Sequence, residues 1–187
     1  MSTLQVENLI GPTSGSNANK VIIPSGQTLD ASNGFVAPAG SVIQTIYSQY
    51  STYGSSSSTS FFAMPLSATI TPKFSNSKIL VTVSLNGLYI NGNGRVVTQE
   101  LYKSIGGGSA SSVHRFNSTA GYVAPGDEPS YGTYTNSYNY IETAGSTSNL
   151  LYQIYLQQNS SGTVFWNNYN VLNGDTKSTM LLQEIAQ

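Results

Sequence analysis

The chain contains no cysteine, which excludes disulfides and thiolate metal sites and leaves burial, strand pairing and association to hold it together. Charge is nearly as scarce. Only 8% of residues are Asp, Glu, Lys or Arg, against roughly 25% in an average globular protein. Seven basic and eight acidic side chains give a net charge of −1. A nucleic-acid binder needs a basic footprint to displace counterions, and an electrostatic membrane anchor needs a basic cluster, so neither partner is expected. There is no apolar run long enough to span a bilayer and no N-terminal signal pattern, so membrane insertion is not expected. Histidine occurs once, at His114.

What fills the space is Ser, Thr, Asn, Gln, Gly and thirteen tyrosines. Tyrosine-rich, charge-poor chains suit large neutral contact surfaces, and they equally suit an ordinary β-protein built from strand formers. The 187 residues make one domain with a real core and not comfortably two.

The cleanest strand is Ser77-Lys78-Ile79-Leu80-Val81-Thr82-Val83-Ser84-Leu85. Ile79, Val81, Val83 and Leu85 fall on one face, and side chains alternate every two residues in a strand. Pro72 and Ser75-Asn76 predict a turn just before it. Further strands are predicted over Ser41–Gln49, Phe61–Pro65, Ser67–Thr71, Arg95–Tyr102, Val113–Phe116, Tyr138–Glu142, Leu150–Leu156, Thr163–Tyr169 and Thr179–Ile185. Asn86-Gly87 and Asn91-Gly92-Asn93-Gly94 read as turns, because Asn and Gly accept positive φ cheaply. Gly54 to Ser60 reads as too polar and flexible for a strand, and Gly121 to Ser137 as the longest irregular stretch. About nine or ten short strands and no convincing helix predict an all-β fold, an antiparallel β-sandwich with a jelly-roll arrangement as first choice.

Residues 1–40 differ from the 41–187 knob. Leu4, Val6, Leu9, Ile10, Val21, Ile22, Ile23 and Leu29 are apolar anchors set among Gly11-Pro12, Pro24-Ser25-Gly26 and other turn residues. They bury too little to fold alone, so the segment reads as an extended arm needing a surface to lie on.

Chemistry is thin. His114 has no evident triad partners, and no Ser sits in a nucleophile-elbow pattern, so no catalytic residue and no enzymatic activity are expected. Asp127-Glu128 and Asp175 lie in loops without calcium-loop spacing, so no metal and no cofactor are expected. Asp30 and Lys20 in the arm are candidates for weak interchain pairs. Tyr131, Tyr134, Tyr138 and Tyr140 form the densest aromatic cluster, with Asn136 and Asn139 among them. That set suits either a host-glycan patch or a trimer interface and strand face.

Five stretches stand out in order: Met1-Ser2-Thr3-Leu4-Gln5-Val6-Glu7-Asn8-Leu9, Val21-Ile22-Ile23-Pro24-Ser25-Gly26-Gln27-Thr28-Leu29 and Gly40-Ser41-Val42-Ile43-Gln44. Ile70-Thr71-Pro72 with Ser75-Asn76-Ser77-Lys78-Ile79-Leu80-Val81, and Ser178-Thr179-Met180-Leu181-Leu182-Gln183-Glu184-Ile185-Ala186, complete the series. Together they resemble the short virion structural proteins of tailed bacteriophages, including cyanophage and marine-phage capsid-decoration, head-fibre and tail-fibre-like proteins. Each is a structural motif of low chemical specificity, and their order carries the weight. The resemblance implies a homotrimer with a thin stem and a β-sandwich knob at the virion surface, assembled in the bacterial host cytoplasm. The short arm and single knob favour a capsid decoration or cement protein bound to the major capsid protein. The alternative is a short tail fibre, attached to tail or baseplate proteins, whose knob recognises a host glycan.

Overall fold

The computed structural model describes residues 10–18, 20–27, 37–91, 96–120, 134–158, 162–167 and 176–187. The chain divides into two compact units, Met1–Val36 and Ala37–Gln187. Among the described residues of the second, ten strands follow in order: β1 (Val42–Tyr50), β2 (Gly54–Ser56), β3 (Phe62–Ile70), β4 (Lys78–Asn91), β5 (Val97–Ile105), β6 (Ser111–Ala120), β7 (Tyr134–Thr143), β8 (Leu150–Gln158), β9 (Thr163–Trp166) and β10 (Ser178–Ile185). Every strand pairing among them is antiparallel.

The alternation read at Ser77–Leu85 becomes the first half of β4, the most widely paired strand. It pairs β10 and β7, and its far end pairs β9. Ile79, Val81, Val83 and Leu85 are buried, as a half-buried strand with period two requires. One sheet runs β1-β10-β4 with β7 also on β4; the other runs β3-β8-β5-β6. The pairs nest: β1 with β10, β3 with β8, β4 with β7, β5 with β6. That is a long hairpin rolled over on itself, the jelly roll, which places apolar faces of both sheets against one core. Met64, Leu66, Leu101, Ile154 and Leu156 from one sheet meet Ile79, Val81, Val83, Met180 and Leu182 from the other in a single cluster.

Four expectations are corrected. Gly54 to Ser60 contains a strand: β2 pairs β9 through Gly54 and Trp166, Ser55 and Phe165, and Ser56 and Val164, so backbone pairing rather than side-chain propensity makes it. Asn86-Gly87 does not reverse the chain. The register of β4 against β7 shifts between Leu85 and Leu88, and Gly87 takes φ 62°, so the pair makes a bulge inside a strand that continues to pair β7 at Leu88 and β9 at Tyr89–Asn91. Phe61–Pro65 and Ser67–Thr71 fuse into β3, with Pro65 inside a register shift between Ala63 and Ser67, where a missing N–H costs no ladder bond. The Gln153 amide fills that bulge, donating to Met64 O at 3.0 Å. The expected irregular stretch also ends early, because β7 starts at Tyr134.

The two ends of the sandwich differ. Val42, Ile70, Lys78, Ile105, Ser111, Thr143, Leu150 and Ile185 terminate strands at one end, joined by the short turns 71–77, 106–110 and 144–149. The strands' other termini carry the links 51–53, 57–61, 92–96, 121–133, 159–162 and 167–177, of which 121–133 and 167–177 are the longest.

Candidate functional site

Residues Ala37–Ser41 lead into β1 at the short-turn end, and that end is laced by backbone bonds. Gly40 N donates to Ala186 O at 2.9 Å, and Ala186 N to Ser41 O at 2.9 Å. The β3–β4 turn is tied to the β7–β8 turn by Ala144 N to Ser77 O and Gly145 N to Ser75 O, both 2.8 Å. Gly106 N reaches Asn149 O at 2.9 Å and joins the third turn. Gly145 has φ 71° and Gly106 has φ 60°, backbone that glycine adopts at least cost.

Glu184 sits at the centre of this base. It is buried, and its carboxylate accepts from Lys73 N at 2.9 Å, Phe74 N at 3.2 Å and Gln44 Nε2 at 2.6 Å. Gln44 also donates to Thr71 O at 2.8 Å. Burial pushes the Glu184 carboxyl up, but these hydrogen bonds outweigh it and hold the group below the usual glutamate range. The arrangement ties the turn 71–77 to the last strand and to β1. Phe74, Val42, Ile105 and Ile141 are exposed at or near this end.

A second polar cluster bridges the sheets close by. Lys103 Nζ on β5 lies 2.8 Å from Glu142 Oε2 on β7, and Tyr152 OH on β8 donates to Glu142 Oε1 at 2.6 Å. Burial, then the neighbouring carboxylate, pushes the Tyr152 hydroxyl far above the ordinary tyrosine range, so it stays a neutral donor. Lys103 and Glu142 are 14% and 16% exposed, so this pair is largely desolvated.

Of the tyrosine cluster, Tyr131 and the side chain of Tyr134 lie outside the described residues. Tyr138 and Tyr140 face inward from β7. Tyr138 stacks on Phe116 with centroids 4.5 Å apart, and Tyr140 on His114 at 5.0 Å. His114, itself exposed, thus lies against the Tyr140 and Phe116 rings between β6 and β7. Asn139, on the opposite face, accepts from Thr82 Oγ1 at 2.8 Å.

Of the arm anchors, Ile10, Val21, Ile22 and Ile23 are exposed, and the local backbone is a series of one-turn bonds such as Gln27 N to Pro24 O at 3.1 Å. Leu4, Val6, Leu9 and Leu29 lie outside the described residues, as do Asp30, Asp127-Glu128 and Asp175. Lys20 Nζ donates to Ser16 O at 3.4 Å. Among the described residues no group of three or more His, Asp or Glu could hold a metal ion, and no helix is long and apolar enough to cross a membrane.

Sequence reasoning missed a hub at the opposite end. Asn167, buried at φ 50°, donates through Nδ2 to Tyr50 O at 2.9 Å and Thr52 O at 3.2 Å, and accepts from Ser178 Oγ at 2.7 Å. Beside it the Trp166 ring lies against Gly54, where a Cβ would collide with the indole. Asn tolerates the left-handed region, which was the one available signal.

No family model matches the chain, and no curated protein matches it. Among solved structures, the infectious bursal disease virus Gt strain structure matches with TM-score 0.43 and 14% identity, over 94% of this chain and 46% of that one. The infectious bursal disease virus VP2 subviral particle matches with TM-score 0.40 and 15% identity, over 94% and 45%. The chain spans less than half the length of these neighbours. The likeness is a weak one of shape, and no functional reading rests on it.

Proposed function

We propose that this chain is a non-enzymatic virion structural protein of a tailed bacteriophage: a homotrimeric capsid decoration or cement protein. Its N-terminal arm, residues 1–40, binds the major capsid protein, and the sandwich projects from the particle. One observation carries the reading. The chain enters the sandwich at the end laced around Glu184, while the strand ends that anchor the longer connections lie at the other end. An attachment made through the arm would then hold the sandwich by its Glu184 end. Glu184 joins two stretches of the resemblance, Ile70–Val81 and the final strand Ser178–Ala186, so they belong to one mechanical unit. The work done is added buried surface across capsid subunit junctions, without covalent chemistry.

Deletion of residues 1–30 tests it. The expected result is a folded, soluble knob that no longer co-sediments with purified particles. Truncated protein that still saturates particles removes the arm from attachment.

The tail-fibre alternative keeps only the start of the tyrosine cluster: β7 begins at Tyr134, at the end opposite Val42, whereas Tyr138 and Tyr140 pack against Phe116 and His114. It requires the isolated protein to bind host cells in a way that free host polysaccharide competes away.

A further inference from the structure

The outward face of the β1-β10-β4-β7 sheet does not have the composition of a solvent face. An antiparallel sheet with one face on the core normally turns polar side chains outward. Here the register sets three apolar cross-strand pairs on the outside: Val42 with Ile185, Tyr47 with Leu181, and Leu80 with Ile141. Val42, Tyr47 and Ile141 are 52%, 60% and 55% exposed, so no part of the described chain covers them. The positions between are Thr, Ser, Asn and Gln. The one charged side chain across these four strands' outward positions is Lys78, whose ammonium donates to Thr143 Oγ1 at 2.8 Å.

We infer that this face is the surface through which copies of this chain associate. The inference rests on the oligomeric part of the reading above and names where the contact lies. Charge selects the occupant. A strongly charged partner would leave its ions desolvated against a neutral sheet, whereas a second copy, only 8% charged, offers a matching neutral surface. Size agrees. Four strands about 4.8 Å apart and about eight residues long outline roughly 500 Å². Once pleated, such a face carries area of the order of the about 800 Å² per partner that a stable interface buries. Tyr47, with an aromatic body and a hydroxyl at its edge, is the residue type that anchors such contacts.

The test is the molar mass of the full-length protein by light scattering and sedimentation, across a wide concentration range. Wild type is expected at a multiple of the 19.9 kDa chain mass, three-fold on the trimeric reading. Tyr47→Glu and Ile141→Glu, both at exposed positions, are expected to weaken association at least tenfold while keeping the wild-type thermal unfolding of the single chain. Ser112→Glu, at an exposed position on β6 of the other sheet, is expected to leave the mass unchanged. A wild type that stays monomeric at every concentration overturns both the oligomer and the face. A wild-type oligomer that neither β1 nor β7 substitution weakens overturns the face alone.

Discussion

The carboxylate of Glu184 lies 2.9 Å from the backbone nitrogen of Lys73, 111 residues earlier in the chain. A buried charged acceptor makes stronger hydrogen bonds than a neutral one, and it leaves orphan amides if removed. Glu184→Gln should therefore lower unfolding free energy by about 2–3 kcal/mol, measured by denaturant titration near neutral pH.

The same contact sets an acid dependence. The folded-state pKa of Glu184 is depressed, so its contribution is present above the unfolded glutamate pKa and is lost as pH falls through the folded one. The gap between wild type and Glu184→Gln should narrow as pH drops below about 4. A gap that stays constant from neutral pH to about pH 3 would show that Glu184 keeps no depressed pKa.

Trp166 is the only tryptophan, and it reports on its own packing. Gly54→Ala places a methyl into the indole and should destabilise by about 1–3 kcal/mol, as overpacking does. Trp emission should shift to the red if the ring is displaced. An unchanged spectrum with unchanged stability contradicts the close approach of β2 to β9.

Asn167 combines a left-handed backbone with three side-chain hydrogen bonds, and two substitutions separate them. Asn167→Gly keeps the backbone cheap and loses the bonds. Asn167→Ala loses both. Alanine should therefore cost about 1 kcal/mol more than glycine in unfolding free energy.

Breaking Lys103–Glu142 from one side differs from removing it. Glu142→Ala leaves a largely buried ammonium and the Tyr152 hydroxyl without an acceptor, at about 3–5 kcal/mol. The apolar double substitution Lys103→Met with Glu142→Leu should recover most of that, by the same denaturant measurement.

How far the sequence was legible follows from which interactions are local. The alternation at Ser77–Leu85 depends on period alone, and it appears as the buried face of β4. Asn86-Gly87 misled because the freedom that makes a turn also makes a bulge inside a continuing strand. Gly54–Ser56 was opaque because its pairing is decided by β9, more than a hundred residues away. The nested strand pairs form the jelly roll that the strand spacing predicts. Glu184 read as one polar residue in an amphipathic strand, since the donors that give it meaning belong to another turn. The outward apolar pairs were present as letters, but only the register shows that they adjoin.

The central claim is that this chain decorates the capsid, and copy number tests it most directly. Purified virions carrying the protein are digested and quantified by mass spectrometry against the major capsid protein. The account predicts copies in fixed proportion to capsid subunits, in three-fold multiples at lattice positions. A few copies per particle, in proportion to tail proteins instead, would contradict it and point to the loop end and a host receptor.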